Sequence, residues 1–285
     1  MPASVPQVRV GVMRTIAAVV LALVLLVAPP ARAAAPADAA LEPATATFVL
    51  GNVQFLLVHE LAHLVLGEFQ VPLLGPEEDA ADYLAAAALI RGGQRDPALR
   101  ARNGAYLLAA ADAQRMAWSR GTELGAPVPY WDTHALTIQR FYKIVCLLYG
   151  ADPVTYADLP QRAGLPTARA AGCAAEFARA SRGIDWLIAS YGRKPGEPAG
   201  AALEIRYEAV PTLATGSVVA ALRQAGLVEE LVARVGELFR LPAPATIVFR
   251  RCGRAEAAWQ PSSRELVVCY ELLDTLQRMA LRRPG

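Results

Sequence analysis

The sequence predicts an α+β protein that is mainly α, with a small antiparallel hairpin or sheet at its C-terminal end. Two observations carry this. Long apolar stretches with helical caps and stops fill most of the chain up to about residue 241. Strand-like runs bounded by turn residues become convincing only after Ala245. With 54% apolar and 19% charged residues, a chain of 285 can bury a sizeable core.

Residues 1–33 read as a signal peptide. Arg9 and Arg14 form a positive n-region, TIAAVVLALVLLV from Thr15 is an apolar h-region, and Ala31-Arg32-Ala33 is an A-x-A cleavage pattern. Met13 is a second candidate start. The apolar run falls short of the roughly 20 residues that a membrane span needs. Export to the periplasm or the medium is therefore expected, with a retained anchor as the alternative, and no stable span is expected after cleavage. Residues 34–44 form an Ala/Pro-rich linker, and 45–285 form a single domain.

Residues 46–68 are apolar nearly all round, which marks a buried helix. Pro76 opens a second helix that runs through DAADYLAAAALI and stops at Gly92-Gly93. Asp96 as N-cap and Pro97 behind it start a third, to about Arg120. After a Pro/Gly loop, 133–149 and 167–191 read as helices. A Pro/Gly-rich stretch and a weak boundary cover 192–215, and 226–241 is helical again. Residues 245–251 read as a strand. Residues 256–259 and 265–270 read as a hairpin around Gln260-Pro261-Ser262-Ser263, and 271–281 as a closing helix.

The net charge of +2, with no basic run carrying interleaved aromatics, argues against a nucleic-acid partner. The four cysteines, Cys146, Cys173, Cys252 and Cys269, are an even count in an exported chain and suggest two disulfides. Pairing of sequence neighbours, Cys146 with Cys173 and Cys252 with Cys269, is favoured. With no C-x-x-C, a cysteine zinc site is not expected.

Two of the three histidines lie in VHELAHL. His59 and His63 fall one turn apart on one helix face, where both imidazoles can reach one Zn²⁺. Glu60 points elsewhere round the helix, in position to hold a water. Phe55, Leu57, Leu61 and Leu64 surround the motif with hydrocarbon, so the polar triplet would be costly to bury without a cation. A catalytic zinc takes three protein ligands. Glu78, in the first turn of the next helix, is the expected third, with Asp79 as the alternative. Asp82, one turn on, can accept the N–H of a ligand histidine.

H-E-x-x-H followed by E-x-x-A-D resembles the gluzincin zinc metallopeptidases. More closely, the chain resembles a bacterial family of exported proteins classed as metallopeptidases and without a known substrate. That likeness runs through HELAHLVLGEFQVPLLGPEEDAADYLA, HALTIQRFYKIVCLLYGADP and CGRAEAAWQPSSRELVVCYEL. It implies a zincin-like helical domain, His59, His63 and Glu78 as ligands of one zinc ion, and Asp82 orienting a histidine. In many such peptidases the strands precede the motif helix, and an edge strand binds substrate. Here they follow it, so the sheet is expected to return to the site from the far end of the chain.

The expected function is hydrolysis of peptide or protein substrates by a zinc-activated water, with Glu60 as general base. His134 is the candidate oxyanion donor, with Arg140 and Tyr142 behind it. His134 is expected in the first turn of a helix capped by Asp132 or Thr133. Two alternatives stay open: a zinc-bearing binding or scaffold protein without turnover, and a zinc amidase acting on cell-wall peptides.

Overall fold

The computed structural model describes residues 40–283. The expected signal peptide and residues 34–39 of the expected linker lie outside them. Helix α1 (Pro43–Glu68) starts where the Glu42 carboxylate accepts from the N–H groups of Ala44 and Thr45 at 3.1 and 3.0 Å, with Pro43 in the first turn. Its apolarity all round has a direct cause: it is packed on every side. Phe48, Val53, Leu57 and Leu61 enter one core, Phe55 a second, and Leu64 and Val65 a third. Its length and composition would suit a membrane span, yet 83% of its most apolar window is buried in the fold. Gly51 permits a close crossing, since a Cβ there would lie 2.7 Å from the Tyr106 Cα.

Helix α2 (Glu77–Gly92) begins after Pro76 with three acids, Glu77, Glu78 and Asp79, in its first turn, where the helix dipole favours negative charge. Ala81, Ala85, Ala86 and Ala87 are wholly buried along it, and such small side chains let neighbouring helices come close. In α3 (Pro97–Glu123) the Asp96 carboxylate caps Ala98 and Leu99 at 2.9 and 3.2 Å, as the sequence predicts. Then come α4 (Thr137–Ala151), the short α5 (Leu159–Ala163) and α6 (Thr167–Ala170), and α7 (Cys173–Tyr191). A disulfide from Cys146 to Cys173 ties α4 to the start of α7.

The second half is α8 (Leu213–Ala225) and α9 (Leu227–Leu238) between strands β1 (Leu203–Tyr207) and β2 (Ala245–Arg250). Strands β3 (Ala257–Gln260) and β4 (Glu265–Cys269) and helix α10 (Tyr270–Ala280) follow. The sheet order is β1-β2-β4-β3. The first three neighbours run parallel, and β3 lies antiparallel at the edge, with Trp259 opposite Leu266. Ile247, Phe249, Leu266 and Val268 form the inner face and pack on α1, α8 and α10. On the outer face a second disulfide joins Cys252 to Cys269. Both disulfides follow the favoured pairing.

The expected hairpin is present, but two further strands join it in parallel. β1 falls in the stretch read as a boundary, because its partner β2 lies beyond two intervening helices and its own five residues alternate with charge. Helix α8 was also unexpected. The helix expected over 167–191 is broken at Gly172, whose N–H turns back to the Arg169 carbonyl at 3.1 Å. The helix expected from residue 133 starts at Thr137. Asp132 Oδ1 accepts from the His134 N–H at 2.9 Å, two residues on, which makes a turn instead of a helix cap. His134 therefore lies before the helix, not in its first turn.

Candidate metal centre

Helix α1 presents His59 and His63 one turn apart, and the start of α2 faces them. Three donor atoms converge there. His59 Nε2 lies 3.2 Å from His63 Nε2, and Glu78 Oε2 lies 3.1 Å from the first and 3.3 Å from the second. A tetrahedral zinc site with arms of about 2.0–2.1 Å has edges of about 3.3–3.4 Å. The three atoms are thus spaced as three corners of such a site.

The far side of each imidazole faces a carboxylate. His59 Nδ1 lies 3.1 Å from Asp82 Oδ1, and His63 Nδ1 lies 2.7 Å from Glu77 Oε1. A carboxylate hydrogen-bonded at Nδ1, as Glu77 is at His63, keeps the proton there and leaves the Nε2 lone pair for a cation; Asp82 lies near His59 Nδ1 without hydrogen-bond alignment. The donor set therefore fits a metal.

Asp82 is itself held from α4. Arg140 grips it with Nε on Oδ2 at 2.9 Å and Nη2 on Oδ1 at 2.7 Å, and Lys143 Nζ adds a third contact at 3.3 Å. Burial alone would raise the Asp82 carboxyl. The His59 contact and the two cations outweigh burial and hold it well below the usual carboxylate range. Asp79, the alternative third donor, is engaged by Lys143 Nζ at 2.7 Å.

Glu60 is 8% exposed and points towards the sheet. Its Oε2 accepts from the backbone N–H of Trp259 at 2.8 Å. Burial pushes its carboxyl above the usual range, against the pull of His59 and of the Trp259 N–H. The expectation that the sheet returns to the motif from the far end of the chain is met by this contact.

His134 Nε2 lies 2.8 Å from Glu78 Oε2, and its ring stacks on His59 with centroids 6.1 Å apart. Its Nδ1 faces Asp132 Oδ1 at 3.1 Å. The structure thus brings all three histidines, Glu60, Glu78 and Asp82 into one site. Arg140 is committed to Asp82, and Tyr142 packs against Phe141 and the helical core. Lys143 and Trp259 enter the site unforeseen, and so does the contact of Glu77 with His63. The i, i+3 spacing of Arg140 and Lys143 was a usable signal that both serve one helix face. The Trp259 N–H left none, since every residue but proline carries one. Among the described residues, the other Cys/Glu grouping, Cys252, Cys269 and Glu271, contains a disulfide and is not a metal site.

Metallopeptidases are built on this plan, with paired histidines and a glutamate base on one helix and an acidic residue brought in from another. The chain belongs to one such family: it matches the family described as "Putative metallopeptidase" over residues 25–187 and 207–283. The family's description implies a metal and suggests peptidase activity. Neither a curated protein nor a solved structure matches the chain.

Proposed function

We propose that the chain is an exported zinc peptidase whose metal is held by His59, His63 and Glu78. The convergence of their three donor atoms beside Glu60 carries this reading. Two imidazoles and one carboxylate suit one zinc ion and leave a position open. When bound, zinc polarises the substrate carbonyl and makes water acidic enough to react at neutral pH. Glu60 takes the proton of the attacking water and delivers it to the leaving amine. The Trp259 N–H fixes one of its oxygens, which leaves the other for the water. Glu77 sets the His63 tautomer, and Asp82, with Arg140 behind it, stands near His59 Nδ1. His134 stands beside Glu78 with Nδ1 on Asp132, and its doubly protonated ring would donate from Nε2 to the developing oxyanion.

Strand β3 supports a site for extended substrate. Glu256 O accepts from Cys269 N at 2.9 Å, so by strand alternation Ala257 and Trp259 turn their backbone groups away from β4. That edge faces α1. At Trp259 this edge is closed on α1 by the bond to Glu60, so an extended peptide would lie beside that contact, next to the free oxygen of Glu60. Two disulfides suit an oxidising compartment and support export.

The test is Glu60→Gln. The variant should keep one zinc per chain and lose peptide hydrolysis. Purified protein that holds no zinc at stoichiometry would overturn the reading at its base.

A further inference from the structure

Large apolar side chains left in water gather where the chain frames the donor atoms. Five of the ten exposed large hydrophobics among the described residues lie on two connections. Leu73 and Leu74 stand between α1 and α2, with Leu74 fully exposed. Leu124, Tyr130 and Trp131 stand between α3 and α4, the two aromatics 80% and 78% exposed. The connections meet at the site, where Glu78 and His134 touch at 2.8 Å. Leu74 is four residues from Glu78, and Trp131 is three from His134. At up to about 3.5 Å per residue, the Cα atoms of Leu74 and Trp131 lie within about 14 Å of those of Glu78 and His134 respectively. Each connection thus makes a rim of apolar groups that is close along the chain to a residue of the site.

The second rim is braced. Asp132 N–H donates to the Pro129 carbonyl at 3.1 Å, Tyr130 N–H to Val128 at 2.9 Å, and Ala126 N–H to Gly121 at 2.9 Å. A loop ordered by its own hydrogen bonds presents its aromatics without much ordering cost on binding. Between the apolar groups the rims carry acids: the side chains of Glu77, Asp79 and Asp132 are 51%, 41% and 45% exposed. Lys143 neutralises Asp79, while Glu77 and Asp132 leave the border acidic and so unfavourable to an anionic lipid surface. Such a border accepts apolar side chains of a peptide whose backbone lies in the cleft.

We propose that these two loops set the cleavage preference: the site selects peptides with large apolar side chains flanking the scissile bond, packed on Leu74 and Trp131. The proposal rests on the peptidase reading and names its substrate class. Its test uses the zinc-loaded Glu60→Gln protein, so that peptides stay intact. Two peptide series share a backbone and carry Leu and Phe, or Gly, on either side of the central bond. Binding is read by calorimetry and by the shift of tryptophan emission as Trp131 leaves water. The apolar series should bind about tenfold tighter, and Leu74→Ser with Trp131→Ser should erase that difference while zinc content and helical signal stay unchanged. Equal affinity of the two series, no binding of either, or a preference that survives the double substitution overturns the proposal. So does loss, in the double variant, of wild-type sedimentation with phosphatidylglycerol vesicles, which would make the rims a membrane contact. If the preference holds but zinc-loaded wild type cuts nothing, the peptidase reading fails and the site binds apolar peptides without turnover.

Discussion

The backbone N–H of Trp259 donates to Glu60 Oε2 over 2.8 Å, joining residues 199 positions apart. A hydrogen bond to a charged group is worth about 1.5–3 kcal/mol, and here it aims a base. Trp259→Ala and Trp259→Pro both lose the indole, but only the second loses the N–H. That N–H points away from β4, so proline at this edge leaves the ladder intact. The proline variant should fall about tenfold or more below the alanine variant in kcat, with equal zinc content. Equal kcat values would show that the bond does not orient Glu60.

Arg140 holds Asp82, which faces His59, so on the proposed zinc reading it would act on the metal through two intermediaries. Arg140→Met should lower zinc affinity by about 10–100-fold, measured by competition with a chelator. It should also cost about 3–5 kcal/mol of stability, because a buried carboxylate loses its main partner. Arg140→Lys should restore only part of the affinity, since an ammonium cannot make the two-pronged contact. Unchanged zinc affinity in Arg140→Met would remove Arg140 from the site.

The disulfides close loops with sequence separations of 27 and 17. By chain entropy each is worth about 3 kcal/mol. Removing Cys146–Cys173 should do more than lower the melting temperature, because it frees α4, which carries Arg140 and Lys143, from α7. Cys146→Ala with Cys173→Ala should weaken zinc binding, whereas Cys252→Ala with Cys269→Ala should leave it closer to wild type. Identical effects of the two pairs on zinc binding would count against this link.

Tyr207 gives a pH dependence. Burial, with Glu229 adding to it, pushes its phenol up to about 12, while Arg223 pulls the other way. The folded value lies above the unfolded one of about 10, so the fold favours the neutral form. That contribution is complete below about pH 10 and is lost as the pH rises towards 12. The hydroxyl has no hydrogen-bond partner among the described residues. Tyr207→Phe should therefore cost little at pH 8 and flatten the fall in melting temperature between about pH 10 and 12. A fall as steep as that of wild type would assign the alkaline loss to other groups.

How much of this was legible depends on distance along the chain. His59, Glu60, His63, Glu78 and Asp82 span two consecutive helices, and helical spacing alone places them on facing surfaces. The disulfides join sequence neighbours. What escaped was long-range or carried by the backbone. β1 is a short strand whose only pairing partner lies past α8 and α9, so no local pattern announced it. The start of α4 was misplaced because Asp132 could have capped a helix but instead closes a turn on His134. Glu77 and Glu78 are chemically alike. Only the geometry of α2 separates the one that faces the Nε2 atoms from the one that faces His63 Nδ1.

The edge position of β3 also bears on when the chain becomes competent. The donors of the metal centre lie near the start of the described fold, while the group that steadies Glu60 lies close to its end. An unfinished or C-terminally clipped chain carries every metal donor and lacks the strand that aims the base. On the proposed peptidase reading, the order of elements would act as a built-in delay, withholding hydrolysis until nearly all of the described chain has folded.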